Sequence, residues 1–184
     1  MSGNLEGRVA IITGGGGEQG GETCRVLAAR GAKIGVADIN LEAAERTVED
    51  LRAAGHEGIA IQVDVAEEDA VKAMAAKTLE AFGRIDVMYA NAAALGLEMQ
   101  QKDLDVATMS VEIWDKAMAV NLRGPMLCTK HVLPSMLEQG GGSVIYASSG
   151  LAFQGELSRS AYSASKQGLM ILAKSVATQY GRKG

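Results

Sequence analysis

Thr13-Gly14-Gly15-Gly16-Gly17-Glu18-Gln19-Gly20 follows directly on the apolar run Val9–Thr13 and leads into a stretch of helical period over residues 22–30. A glycine-rich turn between a strand and a helix brings bare backbone amides to the positive end of a helix dipole. There they can meet a pyrophosphate without side chains in the way. Read alone, the segment is equally a flexible turn. The rest of the chain decides between the two.

Outward from this loop, short apolar runs alternate with longer helical stretches. The runs are 9–13, 33–38, 59–63, 87–90 and 143–147. Between and after them lie helical patterns at 22–30, 41–54 and 67–82, a long pair over 111–139 that contains Pro134, and 161–180. Alternation of this kind specifies an α/β domain, a doubly wound parallel sheet between helical layers (α/β/α). The runs are continuously apolar, as expected of strands covered on both faces. Residues 140–142 read as a turn into the fifth strand, and no linker or repeat divides residues 1–184. In such a sheet the ligand crevice lies beyond the carboxyl ends of the strands, so functional residues should follow each strand.

They do. Asp38, with Ile39 beside it, ends the second run eighteen residues after Gly20, where a carboxylate can accept hydrogen bonds from an adenosine ribose diol. Asn40 is the better cap for the next helix, which leaves Asp38 for a ligand. A 2′-phosphate would meet Asp38 as a like charge, and the loop offers no Lys or Arg to neutralise it, so the cofactor reads as NAD rather than NADP. Asp64-Val65 and Ala90-Asn91-Ala92-Ala93 continue the crevice edge, with small residues for close approach to a flat ligand and an Asn91 amide able to bond neighbouring backbone. By themselves Asp64 reads better as a helix cap before Glu67 and Asn91 as an ordinary loop amide. Tyr162 and Lys166 stand four apart on one helical face, and Ser149 lies thirteen residues before Tyr162 at the end of the fifth run. A surface tyrosine and a solvated lysine are the plain alternative for that pair.

In this order the glycine loop, the acid, the Asp-Val pair, the Asn-containing segment, Asn121, Ser149 and Tyr162-x-x-x-Lys166 resemble the short-chain dehydrogenase/reductase family from about Arg8 onward. The resemblance implies an NAD(P)-binding Rossmann fold and reversible hydride transfer between NAD(H) and a secondary alcohol or ketone. It implies Tyr162 as general acid/base, Lys166 on the nicotinamide ribose and assisting the tyrosine, Ser149 on the substrate oxygen, and Asn121 supporting a relay water. Gly14, Gly17, Gln19, Gly20, Asp38, Ile39, Asp64, Val65, Asn91, Ala92 and Ala93, with Tyr162 and Lys166, would hold the cofactor. A homodimer or homotetramer through the late helices is also implied. Two positions depart from the pattern. Glu18 stands where the family has a glycine, and 90–93 replaces Asn-Asn-Ala-Gly. A carboxylate near a phosphate repels it, so Glu18 is expected to face solvent or bond loop amides. Family chains continue past this point into further strands and a substrate lid, so the chain is expected to be truncated at its C-terminus, with an unpaired sheet edge.

Composition bounds the rest. The chain has 184 residues, 47% apolar and 22% charged, enough to build a core. Net charge is −4 with scattered basic residues, which argues against nucleic acid or an anionic membrane as partner. Cys24 and Cys128 lack metal-ligand spacing, and no metal site is expected; with no leader or spanning segment the chain reads as cytoplasmic. No Gly-Lys-Ser/Thr follows the loop, which sets a P-loop phosphotransferase aside. Leu95, Gly96, Phe153, Gln154 and Leu157 are candidate substrate walls that do not identify a substrate. A dinucleotide-binding protein without turnover, a sensor or oligomer partner, is the competing class.

Overall fold

Small and β-branched residues set the first strand, β1 (Val9–Thr13), whose five residues are all buried. It lies at the centre of the sheet in a computed structural model that describes residues 4–184. The remaining elements follow in chain order: α1 (Glu18–Ala28), β2 (Lys33–Asp38), α2 (Leu41–Ala53), β3 (Gly58–Gln62), α3 (Glu68–Phe82), β4 (Val87–Ala90), α4 (Leu97–Lys102), α5 (Val111–Met118), α6 (Gly124–Glu138), β5 (Ser143–Tyr146) and α7 (Ser160–Tyr180). All strand pairs are parallel, in the order β3-β2-β1-β4-β5. Strand order reverses between β1 and β4, which opens the crevice at their carboxyl ends.

Two apolar layers sandwich the sheet. Ile12, Ile34 and Val36 pack with Cys24, Ala28, Val48 and Leu51 of α1 and α2. Ile11, Ile61 and Met88 pack with Val71 and Met74 of α3 and with Leu127 and Val132 of α6. Alternate residues of β1 thus serve opposite faces, the period of two that a doubly covered strand requires. Both cysteines are buried free thiols, pushed up to about 12 by burial.

Four differences from the sequence reading have physical causes. α1 starts at Glu18, inside the glycine segment, because the turn itself supplies its start. Gly17 is the N-cap and makes no side-chain bond. α4 was not foreseen; Met99 is its one buried residue, so it carries no periodic stripe. The long pair divides at a π-helical stretch, Ala119–Arg123, around Asn121, while Pro134 sits inside α6. β5 is not covered on both faces. Ser143 and Ile145 are exposed and Val144 and Tyr146 half-buried, because β5 is an edge strand among the described residues.

At the opposite, amino-terminal end of the sheet, Asp86 is 5% exposed and bonded by Arg8 at 2.6 Å, Arg84 at 2.6 and 2.7 Å, and the Val9 amide at 3.0 Å. Burial alone would raise its pKa. The hydrogen bonds from Arg84, Arg8 and the Val9 amide overcome that and hold it at about 2. A carboxylate depressed on folding stabilises the fold above its unfolded pKa near 4 and loses that contribution as pH falls toward 2. Acid titration of wild type and Asp86→Asn should therefore show the wild type ahead by roughly 2 kcal/mol at pH 7, with the gap closing between pH 4 and 2. A constant gap across that range would count against the assignment.

Candidate active site

The glycine loop is held open by backbone constraint. Gly14 adopts φ +68°, and a Cβ on Gly20 would collide with the Gly14 carbonyl oxygen. Without a side-chain cap, the first-turn amides of α1 face the crevice with no partner inside the helix. That is the donor set a pyrophosphate needs. Asp38 accepts from the Gly16 amide at 2.9 Å and from the Asn40 amide at 3.0 Å. It is thus a brace between loop and β2 rather than an unengaged group. Each carboxylate oxygen retains a second lone pair for a ribose diol. Asn40 caps α2, its side chain accepting from the Ala43 amide. Asp64 accepts from the Ala66 amide at 2.9 Å in a turn before α3.

Thr13, quoted in the loop but given no role from sequence, is a buried hub. Its hydroxyl accepts from the amides of Asn91 and Ala92, both at 3.1 Å. The Asn91 side chain donates to the Thr13 carbonyl at 3.1 Å, tying β4 to β1 as its position suggested. Gln19 donates to the Tyr89 hydroxyl at 3.2 Å.

These residues enclose a cleft of about 620 Å³. Gly14, Gly17, Gln19, Gly20, Asp38, Ile39, Asp64, Val65 and 91–93 all line it, so every residue assigned from sequence to the dinucleotide, apart from Tyr162 and Lys166, borders one space. Its carboxylates are Glu18, Asp38 and Asp64, and its one cation is Lys116, paired with Glu98 at 2.7 Å. Glu18 is exposed on this rim.

Asn121, Ser149, Tyr162 and Lys166 do not line that cleft; a chain of bonds joins Asn121 and the Tyr162 backbone to it. Ala94, a cleft residue, donates to Asn121 Oδ1 at 2.7 Å. Asn121, fully buried, donates through Nδ2 to Ser165 Oγ at 3.2 Å, and Ser165 donates to the Tyr162 carbonyl at 2.6 Å. The π-helical stretch places Asn121 at this junction. Sequence had supplied Asn121 but not Ser165, whose role depends on a contact 44 residues away. Lys166 donates to the Ala147 carbonyl at 2.7 Å, and Ser148 donates to the Lys166 carbonyl at 3.3 Å, so the end of β5 is fastened to α7 in both senses. Ser149 accepts from the Leu151 amide at 3.3 Å beside this junction. Lys166 Nζ sits 5.6 Å from the Tyr162 ring centroid, within cation–π range. Of the suggested wall residues, Leu95 and Gly96 line the cleft, while Phe153, Gln154 and Leu157 are exposed on the segment after β5.

Lys166 is 2% exposed, and desolvation lowers its pKa from 10.5 to about 8. A cation depressed on folding costs stability below pH 8, and the cost fades as pH rises from 8 toward 10.5. The full cost is on the order of 3 kcal/mol, partly offset by the bond to Ala147. Lys166→Met is therefore expected to raise Tm at pH 7 by roughly 2–8 °C, with a smaller gain at pH 10. Thermal denaturation at both pH values checks this.

The profile of the short chain dehydrogenase family matches residues 8–184. The chain belongs to this family. An oxidoreductase of Thermotoga maritima is 37% identical over 178 residues, 97% of this chain and 67% of its own length. The cis-4-hydroxycyclohexanecarboxylate dehydrogenase of Sinomonas cyclohexanicum is 36% identical over 177 residues, 96% of this chain and 69% of its own. Among solved structures, 7α-hydroxysteroid dehydrogenase complexed with NADH and 7-oxo glycochenodeoxycholic acid superposes with a TM-score of 0.91 at 27% identity, over 98% of this chain and 68% of that one. This short-chain dehydrogenase thus spans about two thirds of the length of the relatives it matches. The family, whose members bind a nicotinamide dinucleotide and act on alcohol groups, fits the geometry of an α/β fold with a cleft at the strand reversal.

Proposed function

We propose that the protein oxidises and re-forms a secondary alcohol with NAD(H), using Tyr162 as the general acid/base. The observation that carries this reading is the bonded chain from the cleft through Ala94, Asn121 and Ser165 to Tyr162, with Lys166 beside the phenol. When bound, the nicotinamide accepts or returns the hydride. Tyr162 takes or gives the hydroxyl proton, Ser149 bonds the substrate oxygen, and Lys166 holds the ribose. The intact tetrad favours this over a binding protein without turnover. A panel of cyclohexanol, cyclohexane-1,4-diol and cis-4-hydroxycyclohexanecarboxylate with NAD tests it by the growth of reduced-nicotinamide absorbance. Absence of turnover across the panel and its ketones would return the sensor reading to first place.

A ring-borne secondary alcohol suits the apolar Leu95 in the cleft wall and the names of two relatives. NAD rather than NADP follows from Asp38. Its carboxylate about 5 Å from a 2′-phosphate would repel it by about 3 kcal/mol at an effective dielectric of 20, roughly 100-fold in affinity. Lys116 is engaged by Glu98 and does not offset this. Asp38→Asn should narrow the NAD-to-NADP affinity ratio to a few fold, as read by fluorescence titration of each cofactor. An unchanged ratio would place the discrimination elsewhere.

Assembly as a homodimer or homotetramer is supported by the groove of Met118, Leu122, Met126 and Leu172 on α5 to α7. The buried free thiols suit a reducing, cytoplasmic compartment. Among the described residues no helix is long and apolar enough to cross a membrane.

A further inference from the structure

α7 carries Tyr162 in its first turn, and its own N-cap cannot serve it. The Arg159 side chain has no acceptor to offer, and the residue adopts φ 64°, ψ 35°, the only left-handed non-glycine backbone among the described residues. The cap comes instead from Asp103, the residue that ends α4. One carboxylate oxygen accepts from the Ala161 amide at 3.0 Å and the other from the Tyr162 amide at 2.9 Å. The Asp103 carbonyl accepts from the Arg159 amide at 2.6 Å, and Ser160 Oγ donates to the next carbonyl, Leu104, at 3.4 Å. Asp103 is 2% exposed, so it is a buried carboxylate held by helix-end amides, the charge placement a helix dipole favours.

We propose that Asp103 is a positioning residue for the proton-transfer tyrosine, which it holds by the Tyr162 backbone amide. The proposal rests on the reading of Tyr162 as acid/base. The same carboxylate joins two parts of the site. α4 follows the cleft residues Leu95 and Gly96, and Met99, Ile113, Ala117 and Ala161 form one small buried cluster beneath the junction. From the other side, Ser165 holds the Tyr162 carbonyl. Tyr162 is therefore gripped at both its amide and its carbonyl, by α4 and by the Asn121 chain. Loss of one grip leaves the phenol chemically intact and displaced, and displacements of about 1 Å at a reacting group cost on the order of 100-fold in rate. The dinucleotide cleft contains no atom of Asp103, so cofactor affinity should not follow.

The test compares wild type, Asp103→Ala, Asp103→Asn and Tyr162→Phe, with the alcohol panel above as substrates and NADH as the binding probe. Asp103→Ala is expected to lose about 30- to 100-fold in kcat while the NADH Kd stays within about threefold. Asp103→Asn, which keeps one acceptor, should lose less, and it stands in if the alanine variant does not fold. Hydrogen exchange should quicken at least tenfold at the amides of Ala161 and Tyr162 but not over residues 14–20. A purely structural role would lower the melting temperature without separating kcat from cofactor affinity. Active, folded Asp103 variants within threefold of wild-type kcat, alongside an inactive Tyr162→Phe, would overturn this proposal alone. A wild type without turnover, or an active Tyr162→Phe, would instead overturn the reading on which it rests.

Discussion

Replacing Tyr162 by Phe should lower turnover by a thousandfold or more while NADH binding and Tm remain close to wild type. Only one oxygen is removed. The amide of residue 162 keeps its bond to Asp103, its carbonyl keeps Ser165, and the ring remains over Lys166. None of the contacts that order the dinucleotide cleft involves the phenol. What is lost is the group that moves the substrate proton, and general acid–base groups of this kind contribute about 10²–10⁴-fold. The contrast with Lys166→Met is diagnostic: that change should also reduce rate, yet it should raise stability because it removes a desolvated cation. Steady-state rates, an NADH titration and a melt on the three proteins separate these effects. A Tyr162→Phe variant that kept more than a few per cent of wild-type rate would require another base.

The grouping of the cleft residues was legible because each of them follows a strand in the chain. In a parallel sheet, sequence adjacency to a strand's carboxyl end fixes spatial position. Gly14, Asp38, Val65 and Asn91 could therefore be placed in one crevice from order alone, and they line one cleft. Its internal bracing was less legible. Asp38 was read as unengaged, although it spans 22 residues to bond Gly16, because such a bond depends on how closely the loop folds over β2. Asp103 escaped notice for a stronger reason. It lies 59 residues from Tyr162, at the end of a helix with a single buried residue, and nothing in the local pattern marks it. Ser165 was visible only as a spacer within Tyr162-x-x-x-Lys166. β5 was read as fully covered because its composition is apolar, but composition does not report a neighbour, and its outer positions are exposed. Local propensity and period thus specify the elements and their order, while the contacts that tension the site arise from packing between elements distant in sequence.

Glu18→Gln should tighten dinucleotide binding by about 10- to 100-fold. Glu18 is the first residue of α1, exposed, and on the rim of the cleft beside the amides that a pyrophosphate would use. As the lone acid in the first turn it interacts favourably with the helix dipole, a gain of a few tenths of a kcal/mol to about 1. That gain belongs to the chain without ligand. Once a diphosphate occupies the same helix end, the carboxylate faces a like charge, and a separation of 4–5 Å makes the repulsion several-fold larger than the dipole gain even near the surface. Exposure and salt screening reduce it to the range stated. Glutamine keeps the size of the side chain and its place at the helix start, so it isolates charge from backbone effects that Glu18→Gly would mix in. Screening supplies a second signature. Raising salt weakens the attraction of a phosphate for helix amides in both proteins, but in the wild type it also relieves the Glu18 repulsion, so the affinity gap between the two should shrink as salt rises from 0.01 to 0.5 M. Isothermal titration with NADH at both salt concentrations measures the gap. Equal affinities at low salt would show that the Glu18 carboxylate turns away from the phosphates, leaving the glycine loop as competent as one with glycine at that position.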